Sequence, residues 1–301
     1  MNYRHCLVVL PFIISCSNTK NLSVDFMHTR GFDTQGHRGS RGLMPENTFP
    51  AMKAALDLGV TTLEMDVIIT KDKKVVLSHE PFFNHEISTK PDGSYVTEPE
   101  EKSLNIYAMN YEEVMKYDVG MRPHPRFPQQ KKIKVFKPLL SDLLDSVQNY
   151  MMNSKRALPY FNIETKSTPS TDNIYHPEPR EFVEMLMTVI VEKGIRDRVI
   201  IQSFDFRTLQ YLHKKYPSVM TAMLIEDFDE RGLNDQLKAL GFLPTIYSPE
   251  YKMVTEDLVK KCHEQSIRVI PWTVNDKTDI DRLKSLGVDG IISDYPNLFN
   301  D

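Results

Sequence analysis

The spacing of apolar residues changes period repeatedly along the chain. Residues 47–58 carry Phe49, Met52, Ala55 and Leu56 at helical intervals, and Gly59 supplies a stop. A β-rich run follows over residues 61–69, and after the turn Lys71-Asp72-Lys73 a second run covers 75–78. From residue 139 the rhythm is regular. Predicted helices at 139–149, 179–193, 206–216, 229–240, 255–265 and 277–286 alternate with predicted strands at 160–164, 199–202, 221–225, 245–247, 268–273 and 290–293. With a first strand at 34–38, strand and helix alternate eight times. Such alternation predicts a parallel sheet, and eight units predict a closed (β/α)8 TIM barrel.

Two stretches stand outside this rhythm. Residues 81–138 contain Pro91-Asp92-Gly93-Ser94, several aromatics and a tract rich in Pro and Lys from 123 to 137. They read as an insertion after the second barrel strand, within a barrel spanning 34–301. Loop-closure entropy grows slowly with length, so a barrel loop tolerates such an insertion. At the other exception, the N-terminus, Arg4 and His5 precede a short apolar run over 7–14, and Ile13-Ile14-Ser15-Cys16 follows. Residues 1–16 read as a signal peptide whose end is similar to a bacterial lipobox, with Cys16 as the acylated residue. Residues 17–33 read as a polar tether. The expected location is the bacterial periplasm or cell envelope, with membrane attachment through Cys16.

Composition narrows the picture further. At 301 residues and a formal net charge of -4, the chain lacks the basic excess that nucleic acid would need. No apolar run is long enough to span a bilayer as a helix. Of three cysteines, Cys6 and Cys16 lie in the leader, so Cys262 has no disulfide partner in the mature domain. The fold must rest on its core. Nothing in the pattern sets an oligomeric state.

The candidate chemistry gathers at predicted strand ends, where such barrels place their active sites. Glu64 and Asp66 sit one residue apart on a strand and point to the same side. Their repulsion calls for a cation between them. With Glu164 they form an oxygen donor set suited to Mg²⁺ or Ca²⁺ and leave positions open for water and substrate. His37 and His79 close two other strands and can trade protons near neutral pH. Arg38 can grip phosphate oxygens with its planar fork, and Lys166 can face the same pocket. Trp272, the only tryptophan, is a candidate pocket wall. Glu46 and Asn47 look like residues that start a helix, with Asn47 as N-cap. His85, His124 and His176 lie in loops and read as surface residues.

Several of these residues stand in motifs. Gly36-His37-Arg38-Gly39, Pro45-Glu46-Asn47-Thr48, Leu63-Glu64-Met65-Asp66 and Leu77-Ser78-His79 occur in that order. Glu164-Thr165-Lys166, Gln202-Ser203-Phe204, Trp272-Thr273-Val274-Asn275 and the run from Asp289 to Pro296 follow. Together they resemble the glycerophosphodiester phosphodiesterase family, from about Thr34 to Pro296. The family usually has Asp after the second histidine, where this chain has Glu80. The resemblance implies metal-dependent hydrolysis of glycerophosphodiesters, small-molecule substrates, to glycerol 3-phosphate and an alcohol. It also implies that His37 and His79 form the catalytic pair.

Two other readings are compatible with the pattern. One is a phospholipase-like barrel acting on lysolipid or phosphoinositide head groups. The other is a catalytically silent binding lipoprotein, against which the intact histidines and carboxylates argue.

Overall fold

A computed structural model describes residues 31–299, and the leader and most of the tether lie outside them. Eight parallel strands form the barrel: β1 (Asp33–Gly36), β2 (Thr62–Ile69), β4 (Tyr160–Thr165), β5 (Val199–Ser203), β6 (Met220–Ile225), β7 (Ile246–Pro249), β8 (Arg268–Val269) and β9 (Gly290–Ser293). Their neighbours run in the order β8-β7-β6-β5-β4-β2-β1-β9. Backbone bonds link the two ends of that series: Asp289 N–H donates to the Val269 carbonyl at 2.9 Å, and Ile292 N–H to that of Pro271 at 3.0 Å. The remaining strand, β3 (Val75–Leu77), pairs antiparallel with the far end of β2. The structure is thus a (β/α)8 TIM barrel.

Alternation along the strands divides the core. On β2, Leu63, Met65, Val67 and Ile69 join the shell between strands and helices, beside Met52, Leu56 and Leu144. The opposite face carries Glu64 and Asp66 inward. A separate apolar plug of Ile200, Met220, Ile246, Ile270 and Ile292 fills the barrel interior. A polar layer also lies inside. Asn162 Nδ2 donates to Gln35 Oε1 at 2.9 Å and Gln202 Oε1 at 2.8 Å, and Gln202 Nε2 donates to Glu64 Oε1 at 2.8 Å.

Helix α1 (Phe49–Asp57) starts at the N-cap Thr48, with Pro50 in its first turn. Asn47 is therefore not the cap. Its backbone takes a left-handed φ of 55°, and its side chain turns to Asp66 instead. Residues 81–138 hold two 3₁₀ turns and the short α2 (Tyr111–Val114). They carry a core of their own, in which Phe83, Ile87, Val96, Ile106, Val114 and Val119 pack on Ile68 and Val76 of the β2–β3 hairpin. The later helices are α3 (Leu140–Asn153), α4 (Pro179–Glu192), α5 (Phe206–Lys215), α6 (Leu233–Leu240), α7 (Glu256–Glu264) and α8 (Lys277–Ser285).

Three expected boundaries move for local reasons. The first strand begins at Asp33, inside the stretch read as tether, and ends at Gly36, so His37 and Arg38 fall in the following turn. The strand expected over 268–273 stops at Val269, two residues before Pro271, which has no N–H to donate. The helix expected from 229 begins at Leu233, after an N-cap at Gly232. Among the described residues, no helix is long and apolar enough to cross a membrane.

Candidate active site

The turn after β1 is built around Gly39. Its φ is 85°, and a Cβ there would meet the Ala51 backbone at 2.6 Å. Gly39 N–H reaches the Glu64 carbonyl at 3.2 Å, and Arg38 N–H donates to Glu64 Oε2 at 2.6 Å. The Gly36-His37-Arg38-Gly39 turn is thereby fastened to the strand that carries the acids.

Glu64, Asp66 and Glu164 come together at the mouth of the barrel, each buried, with one oxygen apiece lying within 4.8 Å of the others. Glu64 and Glu164 are held against ionisation. Burial raises the pKa of Glu64 well above the carboxylate range, and Asp66 adds to it. Burial also pushes Glu164 up to about 7, despite Lys166 beside it. At Asp66 burial acts in the same sense, but Arg38, His79, Lys166 and His37 together outweigh it and keep the carboxylate ionised. Asn47 braces Asp66 twice: Nδ2 donates to Oδ2 at 2.9 Å, and Oδ1 accepts the Asp66 N–H at 3.1 Å. Asp66 Oδ1 is buried and accepts no hydrogen bond. An orphaned oxygen, two carboxyls that resist charge and an all-oxygen donor set fit a hard divalent cation.

His37 and His79 both line a cavity of about 340 Å³ over this triad, with Arg38, Lys166 and Trp272 also in its wall. His37 Nδ1 lies 2.7 Å from Asp294 Oδ1, and its Nε2 lies 4.0 Å from Glu64 Oε2. Burial, and then Arg41, pushes the His37 pKa down to about 4 against the pull of Asp294. The ring is therefore neutral at pH 7. Its Nδ1–H points to Asp294, and Nε2 presents a lone pair to the cavity. His79 follows β3, and its Nδ1 lies 2.6 Å from Glu80 Oε1. Burial, Arg38 and Lys166 lower its pKa, while Asp66 and Glu80 oppose them. The longer side chain at position 80 thus reaches the second histidine.

The cations are already engaged. Arg38 donates to Glu46 Oε1 at 2.8 Å and holds its Nε 3.2 Å from Asp66 Oδ2. Lys166 Nζ lies 2.7 Å from Glu164 Oε1 and 3.9 Å from Asp66 Oδ1. Trp272 is half-buried, donates from Nε1 to the Ser248 carbonyl at 2.9 Å, and meets the Phe204 ring edge-on.

The structure also recruits residues to which the sequence pattern assigns no role in the site. Asp294 accepts two bonds from Arg41, at 2.7 and 2.9 Å, and one from Asn275 Nδ2 at 2.7 Å, besides facing His37. Gln202 supports Glu64, and Lys137 is buried with its amine 2.7 Å from Ser78 Oγ. Two histidines read as surface residues are buried. His176 accepts from Thr168 N–H at 3.0 Å, and its Nδ1 faces the Pro177 carbonyl at 2.9 Å. His124 accepts from Arg126 N–H at 3.2 Å and packs edge-on to Phe127. Both organise loops. His85 is partly buried, with Nδ1 2.7 Å from Glu101 Oε2.

Comparison with known proteins places this geometry in a family. A glycerophosphodiester phosphodiesterase of Caldanaerobacter subterraneus subsp. tengcongensis is 30% identical over 261 residues, which cover 86% of this chain and 93% of that protein. A crystal structure from Silicibacter pomeroyi DSS-3 matches with a TM-score of 0.81 at 29% identity, over 92% of this chain and 95% of its own. An Oleispira antarctica phosphodiesterase, solved with the product sn-glycerol-3-phosphate, shares the fold with a TM-score of 0.71 at 19% identity, over 93% and 99% of the two chains. The profile of the glycerophosphoryl diester phosphodiesterase family matches residues 37–298, nearly all of the described chain, and the protein belongs to that family.

Proposed function

We propose that the protein hydrolyses glycerophosphodiesters to glycerol 3-phosphate and an alcohol, with Glu64, Asp66 and Glu164 holding Mg²⁺ or Ca²⁺ and His37 and His79 exchanging the protons. The observation that carries this reading is the meeting of both histidines with Glu64 and Glu164 at one cavity, with Asp66 clustered against the two glutamates. Support also comes from the Caldanaerobacter relative, itself a glycerophosphodiester phosphodiesterase. The Oleispira protein, of the same fold, holds the phosphorylated half of such a diester.

A bound divalent cation supplies Lewis-acid polarisation of a phosphoryl oxygen and offsets developing negative charge. The remaining work falls to the chain. His37, neutral and fixed by Asp294, accepts the proton of the attacking hydroxyl at Nε2. That hydroxyl belongs to water or to the substrate's own glycerol. His79 faces both this cavity and a larger one beside it, and gives a proton to the departing alkoxide as the P–O bond breaks. Arg38 and Lys166 hold positive charge beside the phosphate. The assembled pair and triad count against a silent binding protein.

The decisive experiment incubates the purified protein with glycerophosphocholine and assays glycerol 3-phosphate with and without EDTA. Release that stops with EDTA and returns with Mg²⁺ or Ca²⁺ is expected. Full turnover in excess chelator, or no glycerol 3-phosphate under any condition, overturns the reading. The exported, Cys16-anchored location is part of the same proposal and rests on the leader sequence.

A further inference from the structure

A second cavity of about 610 Å³ opens beside the first and shares His79, Glu164, Lys166, Phe204, Leu224 and Glu226 with it. With the phosphate over the triad, this is the space left for the alcohol half of the diester. Its wall is largely apolar, with Phe206 and the well-exposed Phe228 among its rings.

The charges in that wall are paired, with one exception. Lys166 holds Glu164, and Arg231 holds Asp229 through two bonds of 2.8 and 2.7 Å. Glu226, the residue after β6, is different. Among the described residues no hydrogen bond or ion pair reaches its carboxylate, although it is half-buried and lines both cavities. Lys166 is the cation that acts on it electrostatically, but that amine is engaged by Glu164 and Asp66. Asp227 and Glu250 add further negative potential around it. Phe204 likewise lines both cavities, and Trp272, in the wall of the smaller one, meets its ring nearly perpendicular with centroids 5.4 Å apart.

An unpaired carboxylate next to aromatic faces in an apolar cavity is the chemistry that receives an organic ammonium group. The ring quadrupoles and the carboxylate attract the same cation, and the apolar wall accommodates its alkyl substituents. A neutral polyol would gain from neither. We propose that Glu226 and Phe204, with Trp272 packed against Phe204, make the alcohol subsite selective for cationic head groups of the choline or ethanolamine type over uncharged polyols. This inference rests on the phosphodiesterase reading for its placement of the alcohol.

Trp272 is the only tryptophan and packs against Phe204, so its fluorescence reports on the subsite without turnover. The full chain is titrated with choline and with 3,3-dimethyl-1-butanol, the uncharged carbon analogue of the same shape. Choline is expected to bind at least about tenfold tighter, and Glu226→Gln is expected to erase that preference. Equal or tighter binding of the neutral analogue, no binding of choline, or a preference that survives Glu226→Gln overturns the proposal. Stronger binding of the analogue would instead identify an apolar, acyl-type subsite. In parallel, the ratio of kcat/KM for glycerophosphocholine to that for glycerophosphoinositol should fall about tenfold in Glu226→Gln, through KM. An equal fall for both diesters also overturns it. Selective choline binding without turnover of either diester would sink the phosphodiesterase reading while leaving the ammonium site standing. Turnover of both diesters without discrimination by charge would do the reverse.

Discussion

Asp294 faces the Nδ1 of His37 at 2.7 Å, from 257 residues further along the chain. Burial alone would raise the pKa of Asp294, but His37 and Arg41 outweigh it and hold the group ionised far below the usual carboxylate range. At neutral pH the imidazole is uncharged, so the lasting charge partner is Arg41, whose guanidinium is itself buried. Asp294 therefore has two separable duties. Asp294→Ala strands a buried guanidinium and should cost about 3–5 kcal/mol of stability. Asp294→Asn keeps the shape and one acceptor oxygen but removes the charge facing both His37 and Arg41, so kcat should fall on the order of 10²-fold with a smaller loss of stability than in the Ala variant. Thermal melts and steady-state kinetics on the two variants separate these effects. Normal kcat in the Asn variant would reduce Asp294 to a partner of Arg41.

The second histidine is oriented by its immediate neighbour. Glu80 Oε1 lies 2.6 Å from His79 Nδ1 and works against the burial that lowers the His79 pKa. Removing that charge lets the pKa drop further. In Glu80→Gln the limb of the pH–rate profile that belongs to His79 should therefore move to lower pH. His79→Ala and His37→Ala should each cost on the order of 10²–10⁴ in turnover while remaining folded. An unmoved profile in Glu80→Gln would confine Glu80 to a structural role, and near-normal turnover in either alanine variant would do the same for that histidine.

Metal uptake should be linked to protons. Burial holds Glu64 well above the carboxylate range and Glu164 at about 7, so at pH 6 the metal-free triad carries protons that a cation must displace. The sign follows directly. Apparent affinity for Mg²⁺ or Ca²⁺ should rise as pH increases through about 7, where Glu164 gives up its proton. Isothermal titration at pH 6 in two buffers of different ionisation enthalpy should detect the released protons. Glu64→Gln should abolish the high-affinity binding without unfolding, since it replaces a carboxyl that burial already holds against ionisation. Affinity independent of pH, with no proton release, would contradict this account.

Much of this site was legible because its signals are local. Glu64-Met65-Asp66 declares two carboxylates on one strand face, and alternation of helix and strand carries those acids to the barrel mouth with His37 and His79. The partners of these groups were not legible. Nothing in the sequence near Asp294 records that it meets His37, Arg41 and Asn275, because the pairing with His37 and Arg41 forms only when β9 closes beside β1. Within the polar layer, Gln202 stands out as a lone amide in the mostly apolar β5, but Gln35 sits in a polar strand and gives no such signal. His176 and His124 were misread because polar loops suggest exposure, whereas these rings satisfy backbone groups inside folded loops. Asn47 was misread for a related reason: its spacing suits an N-cap, but Asp66 outcompetes the helix for its side chain.

The direction in which the chain enters the barrel bears on its substrates. The first strand starts at Asp33, and the catalytic groups lie past its other end, at His37 and beyond. A lipid anchor on Cys16 would be joined to the face opposite the catalytic mouth by a short polar segment, residues 17–32. Stable anchoring needs two or more acyl chains, because one gives only marginal membrane binding. Cys16→Ser should accordingly release the protein from the membrane fraction or block its maturation. A form beginning near Asp25 should keep its intrinsic kcat. Attachment at that end would favour diesters that arrive through water over lipids that must leave the membrane. The insertion, which contributes Pro81 and Arg126 to the cavity walls, has a mixed surface, in which Lys131, Lys132, Lys134 and Arg126 are exposed along with Met121 and Phe136. Glycerophosphocholine and glycerophosphoethanolamine should therefore be cleaved with higher kcat/KM than lysophosphatidylcholine, measured with the lipid below its micelle concentration. Faster cleavage of the lysolipid would transfer the larger cavity to an acyl chain and favour a lysolipid-directed enzyme.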